Sequence, residues 1–314
     1  MNKKISVLLT CILITVLLAV GCGSSNNSDT AASADSNEAA SVDEKDDTDV
    51  SDEPDASDDV DDTDDVQEED SSADKKGDGT VHFYIVRHGK TMLNTTDRVQ
   101  GWSDAVLTPA GEEVVGYAAK GMKVKDLSFD VAYSSDSGRS IQTANIILET
   151  LGQADLHLNT DWRLREFNFG TYEGDLNHTM WTDIAESLGM TLEEWMEDGV
   201  NPEEFANSVA KLDEGRDEEG LNWPAEDYDT ITARLSESLN EIAEEVSSQG
   251  GGNVLLVSHG LSIGAMMDVL KDDGDEISAG IANASVSTVD YKDGKFTILE
   301  YGDTSYIEEG EKSQ

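Results

Sequence analysis

Hydrophobic and polar positions from Thr80 to the end of the chain follow two alternating periods. Short apolar runs of the kind that form strands occupy Val81–Val86, Val131–Ser134, Leu156–Leu158, Val254–Ser258, Val286–Tyr291 and Phe296–Glu300. Helical patterns cover Pro109–Lys120, Gly138–Leu151, Asp227–Ser247 and Leu261–Lys271. The first of these opens with Thr108 as a hydroxyl N-cap and with Pro109, whose fixed φ suits the first helical position. In 227–247, Ile231, Leu235, Leu239, Ile242 and Val246 fall on one face, with acidic residues opposite. The alternation predicts an α/β fold, a three-layer α/β/α sandwich around a mostly parallel central sheet. Asp290 to Lys295, with Lys292-Asp293-Gly294 inside it, predicts a hairpin between the last two strands and hence a mixed sheet edge. From Glu173 to Ala225 the alternation stops, and this stretch holds Trp181, Trp195 and Trp223 in acidic short-helix patterns. It predicts a small helical insertion at about 175–225, either a lid over the sheet edge or helices packed on the sheet as ornament. Residues 304–314 read as a polar tail.

The stretch before the domain has a different character. Lys3 and Lys4 precede a nearly continuous apolar run from Ile5 to Ala19, closed by Val20-Gly21-Cys22. That is the layout of an export signal over 1–22. Its end resembles a lipobox, the processing site of bacterial lipoproteins, although Ala19 stands where leucine is commonest. The resemblance implies that Cys22 carries lipid, becomes the mature N-terminus and anchors the domain on the extracytoplasmic side of the cell membrane. The other cysteine, Cys11, lies inside the signal, so the mature chain would have no disulfide and no thiol chemistry. Residues 23–79 contain 22 acidic residues against three lysines and no aromatic residue. Such a segment buries too little apolar surface to offset its chain entropy and reads as a disordered acidic linker, extended by its own repulsion.

Charge then limits the partners. The chain carries −46. With +2 in the signal and −19 in the linker, −29 falls on the domain of roughly 225 residues, long enough for one substantial core. A domain this acidic lacks the basic footprint of a nucleic-acid binder. A phosphorylated ligand would have to be held by a few local cations against the global field.

Such cations occur at strand ends. Tyr84-Ile85-Val86-Arg87-His88-Gly89 ends an apolar strand in an Arg-His pair, at the kind of sheet edge where open α/β proteins bind ligands. Ser258-His259-Gly260 repeats the arrangement before a helix. Ser134 to Ala144 runs from a strand end into a helix start and sets Arg139 in the first helical turn. Trp162-Arg163-Leu164-Arg165-Glu166-Phe167-Asn168-Phe169-Gly170 supplies a carboxylate, with Glu173 close behind as a competitor. His88 is the candidate nucleophile and Arg87 the candidate phosphate clamp.

These segments, in this order, resemble the histidine phosphatase superfamily, which includes the cofactor-dependent phosphoglycerate mutases. Arg87-His88-Gly89 matches the signature, and Thr91 and Asn94 match the pattern after it. Arg98-Val99-Gln100-Gly101-Trp102-Ser103-Asp104 with Leu107, Thr108 and Gly111 looks like the next block, Arg139 with Gln142-Thr143-Ala144 like the second signature, and His259-Gly260 like the last. The resemblance spans about 80–302 and implies a phosphoglycerate-mutase-like fold over 80–303. It further implies that His88 forms a phosphohistidine, that Arg87, Arg139 and His259 surround the phosphoryl oxygens, and that Glu166 serves as general acid and base. Asn94, with Thr91, Gln100 and Gly101, would bind substrate. Guanidinium groups would supply the positive charge, with no metal and no cofactor.

The chain departs from many relatives where Ala225-Glu226-Asp227 replaces Gly-Glu-Ser. The insertion also lacks the paired arginines with which mutases hold a carboxylate and a second phosphate. The expectation is an exported, lipid-anchored phosphomonoesterase acting on a small phosphorylated substrate. The alternatives are mutase-like phosphoryl transfer and a non-catalytic lipoprotein that binds a phosphorylated ligand.

Overall fold

The computed structural model describes residues 77–197, 201–216, 220–271, 277 and 280–313. The export signal, Cys22 and nearly all of the acidic linker lie outside the described residues. In chain order the elements are β1 (Val81–Arg87), α1 (Met92–Thr95), α2 (Pro109–Val124), β2 (Val131–Ser134), α3 (Gly138–Leu151), β3 (Leu158–Thr160) and α4 (Asn177–Ser187). Then come α5 (Leu192–Glu197), α6 (Pro202–Asp213), α7 (Tyr228–Ser248), β4 (Gly252–Ser258), α8 (Gly260–Leu270), β5 (Val286–Lys292), β6 (Lys295–Asp303) and α9 (Ser305–Lys312).

The sheet order is β3-β2-β4-β1-β5-β6. β3, β2, β4 and β1 run parallel, and β5 and β6 add an antiparallel edge through the expected hairpin. Alternate residues along each central strand face opposite layers. Val86, Ala132, Leu255 and Val257 pack with Val115 and Met122 of α2, Ile147 of α3 and Tyr306 of α9. Phe83, Ile85, Val254 and Leu256 pack with Ile231, Leu235 and Leu239 of α7, Ile263 of α8, and Trp195 and Phe205 of the insertion. Both faces are therefore covered, as the three-layer expectation required. The helix starts follow local chemistry: Thr108 Oγ1 accepts the Gly111 amide at the head of α2, and Asp227 does the same for Thr230 at the head of α7.

Two expectations need correction. β3 lies at 158–160 rather than 156–158, because the Leu156 amide closes a turn onto the Gln153 carbonyl and only Leu158 onward pairs with β2. Residues 304–314 are no passive tail: Ser305–Lys312 forms α9 and packs on α2. The two helices approach through glycine, for a Cβ on Gly121 would overlap the Tyr306 carbonyl and one on Gly310 the Tyr117 carbonyl. Lys125 also lies 4.1 Å from the centre of the Tyr306 ring.

Candidate active site

The pairing of β1 with β4 sets Arg87 opposite Ser258, so the next residue of each strand, His88 and His259, leaves the sheet at one edge. The His88 amide donates to the Ser258 carbonyl at 3.0 Å, and Asn283 Nδ2 donates to the His88 carbonyl at 2.9 Å. The ring centres stand 5.2 Å apart, edge to face, and both side chains are buried. Their partners assign the tautomers. His88 Nδ1 is 2.8 Å from the Gly89 carbonyl, which only accepts, so Nδ1 carries the proton and Nε2 keeps a lone pair. His259 Nδ1 receives Arg139 Nε at 3.2 Å, which only donates, so His259 carries its proton on Nε2. Ser137 Oγ lies 3.4 Å from that Nε2.

Arg139 is fully buried, the largest such side chain among the described residues. Besides His259 it donates to the Ser103 carbonyl, to Asp104 Oδ1 at 2.9 Å and to the Gly101 carbonyl at 2.7 Å. Arg87 donates to the Ile281 carbonyl. Burial draws both guanidiniums below their ordinary value, with Asp104 opposing at Arg139 and Glu166 at Arg87. Burial, and then the positive charges of Arg139 and Arg87, hold His88 well below the usual 6.5. Burial and then Arg139 do the same to His259. Among the described residues, four buried side-chain polar atoms have no hydrogen-bond partner: Arg87 Nε, Gln100 Nε2, Ser103 Oγ and Thr182 Oγ1. Buried donors are nearly always paired, so Arg87 Nε and Gln100 Nε2, on two residues that line one cavity, are exceptions to be explained.

Three carboxylates surround this edge, and their partners differ. Glu166 Oε1 accepts the Phe167 and Ser262 amides and lies 3.0 Å from Ser262 Oγ, whereas Oε2 accepts only the Leu261 amide, at 3.0 Å. Glu173 is fully occupied by the amides of Gly101, Trp102, Ser103 and Phe169. It holds the 100–103 loop in place and does not line the cavity beside Glu166. Glu226 pairs with Arg234, whose remaining donors take the carbonyls of Arg163, Arg165 and Glu166. This buried arginine clamps the segment that carries Glu166. The sequence held a signal for it, a charge beside Leu235 on the stripe that α7 buries.

Two cavities flank this edge; His259 lines the second, and His88 itself, nearly fully buried, lines neither. The first, about 290 Å³, is lined by Arg87, Asn94, Gln100, Glu166 and Gly260 at one end and by residues of the insertion at the other. The second, about 490 Å³, is lined by His259, Gly101, Ser137 and Arg165, with Trp102 and the exposed Trp223. The insertion therefore forms a wall beside this edge. The remaining residues expected to bind substrate divide. Asn94 and Gln100 reach the first cavity. Thr91 is fully buried, donates to Gln100 Oε1 at 2.6 Å and caps α1, so it supports Gln100 and lines neither cavity. Gly101 turns its amide to Glu173 and its carbonyl to Arg139, and its missing side chain makes room for the Phe167 carbonyl. His178 is exposed and lines neither cavity. Asp104, Asn283 and Ser262 were not foreseen at the site. Asp104 lay inside the matched block, whereas Asn283 reaches the site only through the fold.

Comparison with known proteins agrees with this geometry. The family model of the histidine phosphatase superfamily, branch 1, matches residues 83–304. A Yersinia enterocolitica protein named a probable phosphoglycerate mutase is 31% identical over 232 residues, which cover 72% of this chain and 94% of that protein. The crystal structure of a Bacillus anthracis phosphoglycerate mutase superposes with a TM-score of 0.67 at 38% identity, covering 74% of this chain and 97% of that one. The Bacillus stearothermophilus protein YhfR shares the fold at a TM-score of 0.54 and 24% identity, over 72% and 99% of the two chains. With the ordered motifs folded into one edge and the family model spanning nearly all of the domain, the chain belongs to the histidine phosphatase superfamily.

Proposed function

We propose that the chain is a phosphomonoesterase working through a phosphohistidine on His88, in an exported domain tethered to the membrane by lipid on Cys22. One observation carries the catalytic part: two buried imidazoles 5.2 Å apart hold opposite tautomers, with Arg87 next to the first in the chain. His88 offers a lone pair on Nε2 and His259 offers a proton on Nε2, which is the division of labour between a nucleophile and an oxyanion donor.

In the first step His88 Nε2 attacks phosphorus, forming an N–P bond as the P–O bond to the leaving group breaks. Arg87, Gln100, His259 and the free Nη2 proton of Arg139 stabilise charge on the equatorial oxygens. Glu166 Oε2, the carboxylate oxygen with a single protein donor, gives its proton to the departing alkoxide. In the second step Glu166 takes a proton from water, water oxygen bonds to phosphorus, the N–P bond breaks, and phosphate leaves. Arg139 acts mainly by fixing the His259 tautomer, since most of its donors serve the protein.

Mutase transfer is the second reading, favoured by the names of the Yersinia and Bacillus anthracis proteins. Release to water is supported over it by the cations present. Beyond Arg87, the one cation among the described residues lining the cavity on the Glu166 side is Arg98, exposed and bonded to the Gly174 carbonyl. Retaining a bisphosphate intermediate needs more. The anchor rests on the Ile5–Ala19 run and on Cys22 behind it.

Three outcomes are expected. The full chain hydrolyses p-nitrophenyl phosphate in EDTA, with phosphate as the product by phosphorus NMR, and His88→Ala lowers kcat by on the order of 1000-fold or more. Complete loss in EDTA, or an active His88→Ala protein, contradicts the scheme. In the ligand-free protein at pH 6, nitrogen-15 NMR finds His88 and His259 both neutral, with the proton on Nδ1 of the first and Nε2 of the second. A depressed pKa keeps the base form down to that pH, and protonation follows only as pH falls further. Titration of either ring at 6.5 or above contradicts the site geometry. In bacterial cells the protein enters the detergent phase of Triton X-114 and Cys22→Ser moves it to the aqueous phase, whereas equal partitioning of the two removes the lipid anchor.

A further inference from the structure

The first cavity has two unlike ends. One holds Arg87, Gln100 and Glu166; the other is walled by Met180 and Trp181 of α4, Trp195 and Met196 of α5, Phe205 of α6, and Leu261. Trp195 and Phe205 are stacked, with ring planes 18° apart and both side chains buried, so this wall is rigid. Met196 is 48% exposed and Trp181 is half-buried, which leaves apolar surface facing the cavity. A proton donor must touch the leaving oxygen, so the leaving group of any substrate lies on the Glu166 side, and that is this cavity. A cavity of about 150 Å³ holds benzene, so about 290 Å³ leaves room for an aromatic ring and the bond that joins it to the phosphoryl group.

We infer that the substrates are phosphomonoesters whose leaving group carries an aromatic or similarly flat apolar body, seated against Trp181, Trp195, Met196 and Phe205. This rests on the phosphatase reading of the site. Tryptophan, phenylalanine and methionine side chains favour ring faces and edges. Apart from the indole N–H groups, they offer no partner to the hydroxyls of a polyol, which would lose water with little compensation along this wall. Among the described residues, a carboxylated leaving group of the phosphoglycerate kind would find, beyond Arg87 and Gln100 at the phosphoryl end, Arg98 and the amides of Asn94 and Asn177, in a domain of net charge −29. The insertion thus sets specificity by apolar fit, in place of the cationic clamp that the sequence lacks.

The test compares two esters of alcohols with similar leaving ability, 2-phenylethyl phosphate and glycerol 3-phosphate, by phosphate release from the full chain. The expected kcat/KM ratio favours the phenylethyl ester at least tenfold. Trp181→Ala, and separately Met196→Glu at a half-exposed position that does not disturb the core, contract that ratio about tenfold, as expected when an apolar pocket loses its fit. Equal or faster turnover of the glycerol ester, or a ratio unchanged in both variants, overturns the inference and leaves the phosphatase intact. Failure to hydrolyse either ester, with no phosphoryl group found on His88, removes the phosphatase reading and this inference with it.

Discussion

Two imidazoles stand 5.2 Å apart because β1 and β4 run parallel with Arg87 opposite Ser258. A slip of one residue in that register would turn the next side chain of one strand to the other face and separate the pair. The register is fixed by burial on both faces, since Phe83 and Ile85 serve one layer while Val86 serves the other. The apolar pattern of the central strands is therefore also the positioning device for the chemistry. α3 and α8 start at the same edge, carrying Arg139 and the amides that hold Glu166.

Around the pair, buried charge is organised in successive layers. Arg139 fixes His259 and is itself fixed by Asp104 and two loop carbonyls, while Glu173 gathers the amides of the same loop. Arg234, neutralised by Glu226, holds the carbonyls of the segment bearing Glu166. Buried guanidiniums of this kind contribute position as much as stability, because each unpaired donor left in a low-dielectric interior is costly. Against that densely bonded frame, Arg87 Nε and Gln100 Nε2 are buried donors without a protein partner. The large negative charge of the domain makes such local donors more necessary.

Much of this was legible in the sequence. β2 and α3 fall at their expected bounds, since both are delimited by turn and cap residues at Ser135 to Ser137 and Gly152. His88, Arg87, Arg139, Glu166 and His259 are brought to one edge because each sits at a strand end, at a helix start or on a loop above them. What sequence reading missed depends on contacts between distant segments. α9 was hidden because it docks largely by backbone approach at Gly121 and Gly310, with Tyr306 and Ile307 as its few apolar contacts in an otherwise polar segment. Glu173 looked like a rival acid until the four amides around it were in view. Asn283 was invisible as a site residue because it lies in no segment that the chemistry singles out, and Arg234 left only the trace of a charge beside the buried stripe of α7.

The covalent role of His88 is the central claim, and trapping the intermediate tests it most directly. Rapid acid-free quenching of the full chain during turnover, followed by peptide mass spectrometry, should find a phosphoryl group on His88 that is labile in acid and stable in base. It should be absent from His88→Ala. Sustained turnover with no phosphoryl group on His88, or with one on another residue, would contradict the account.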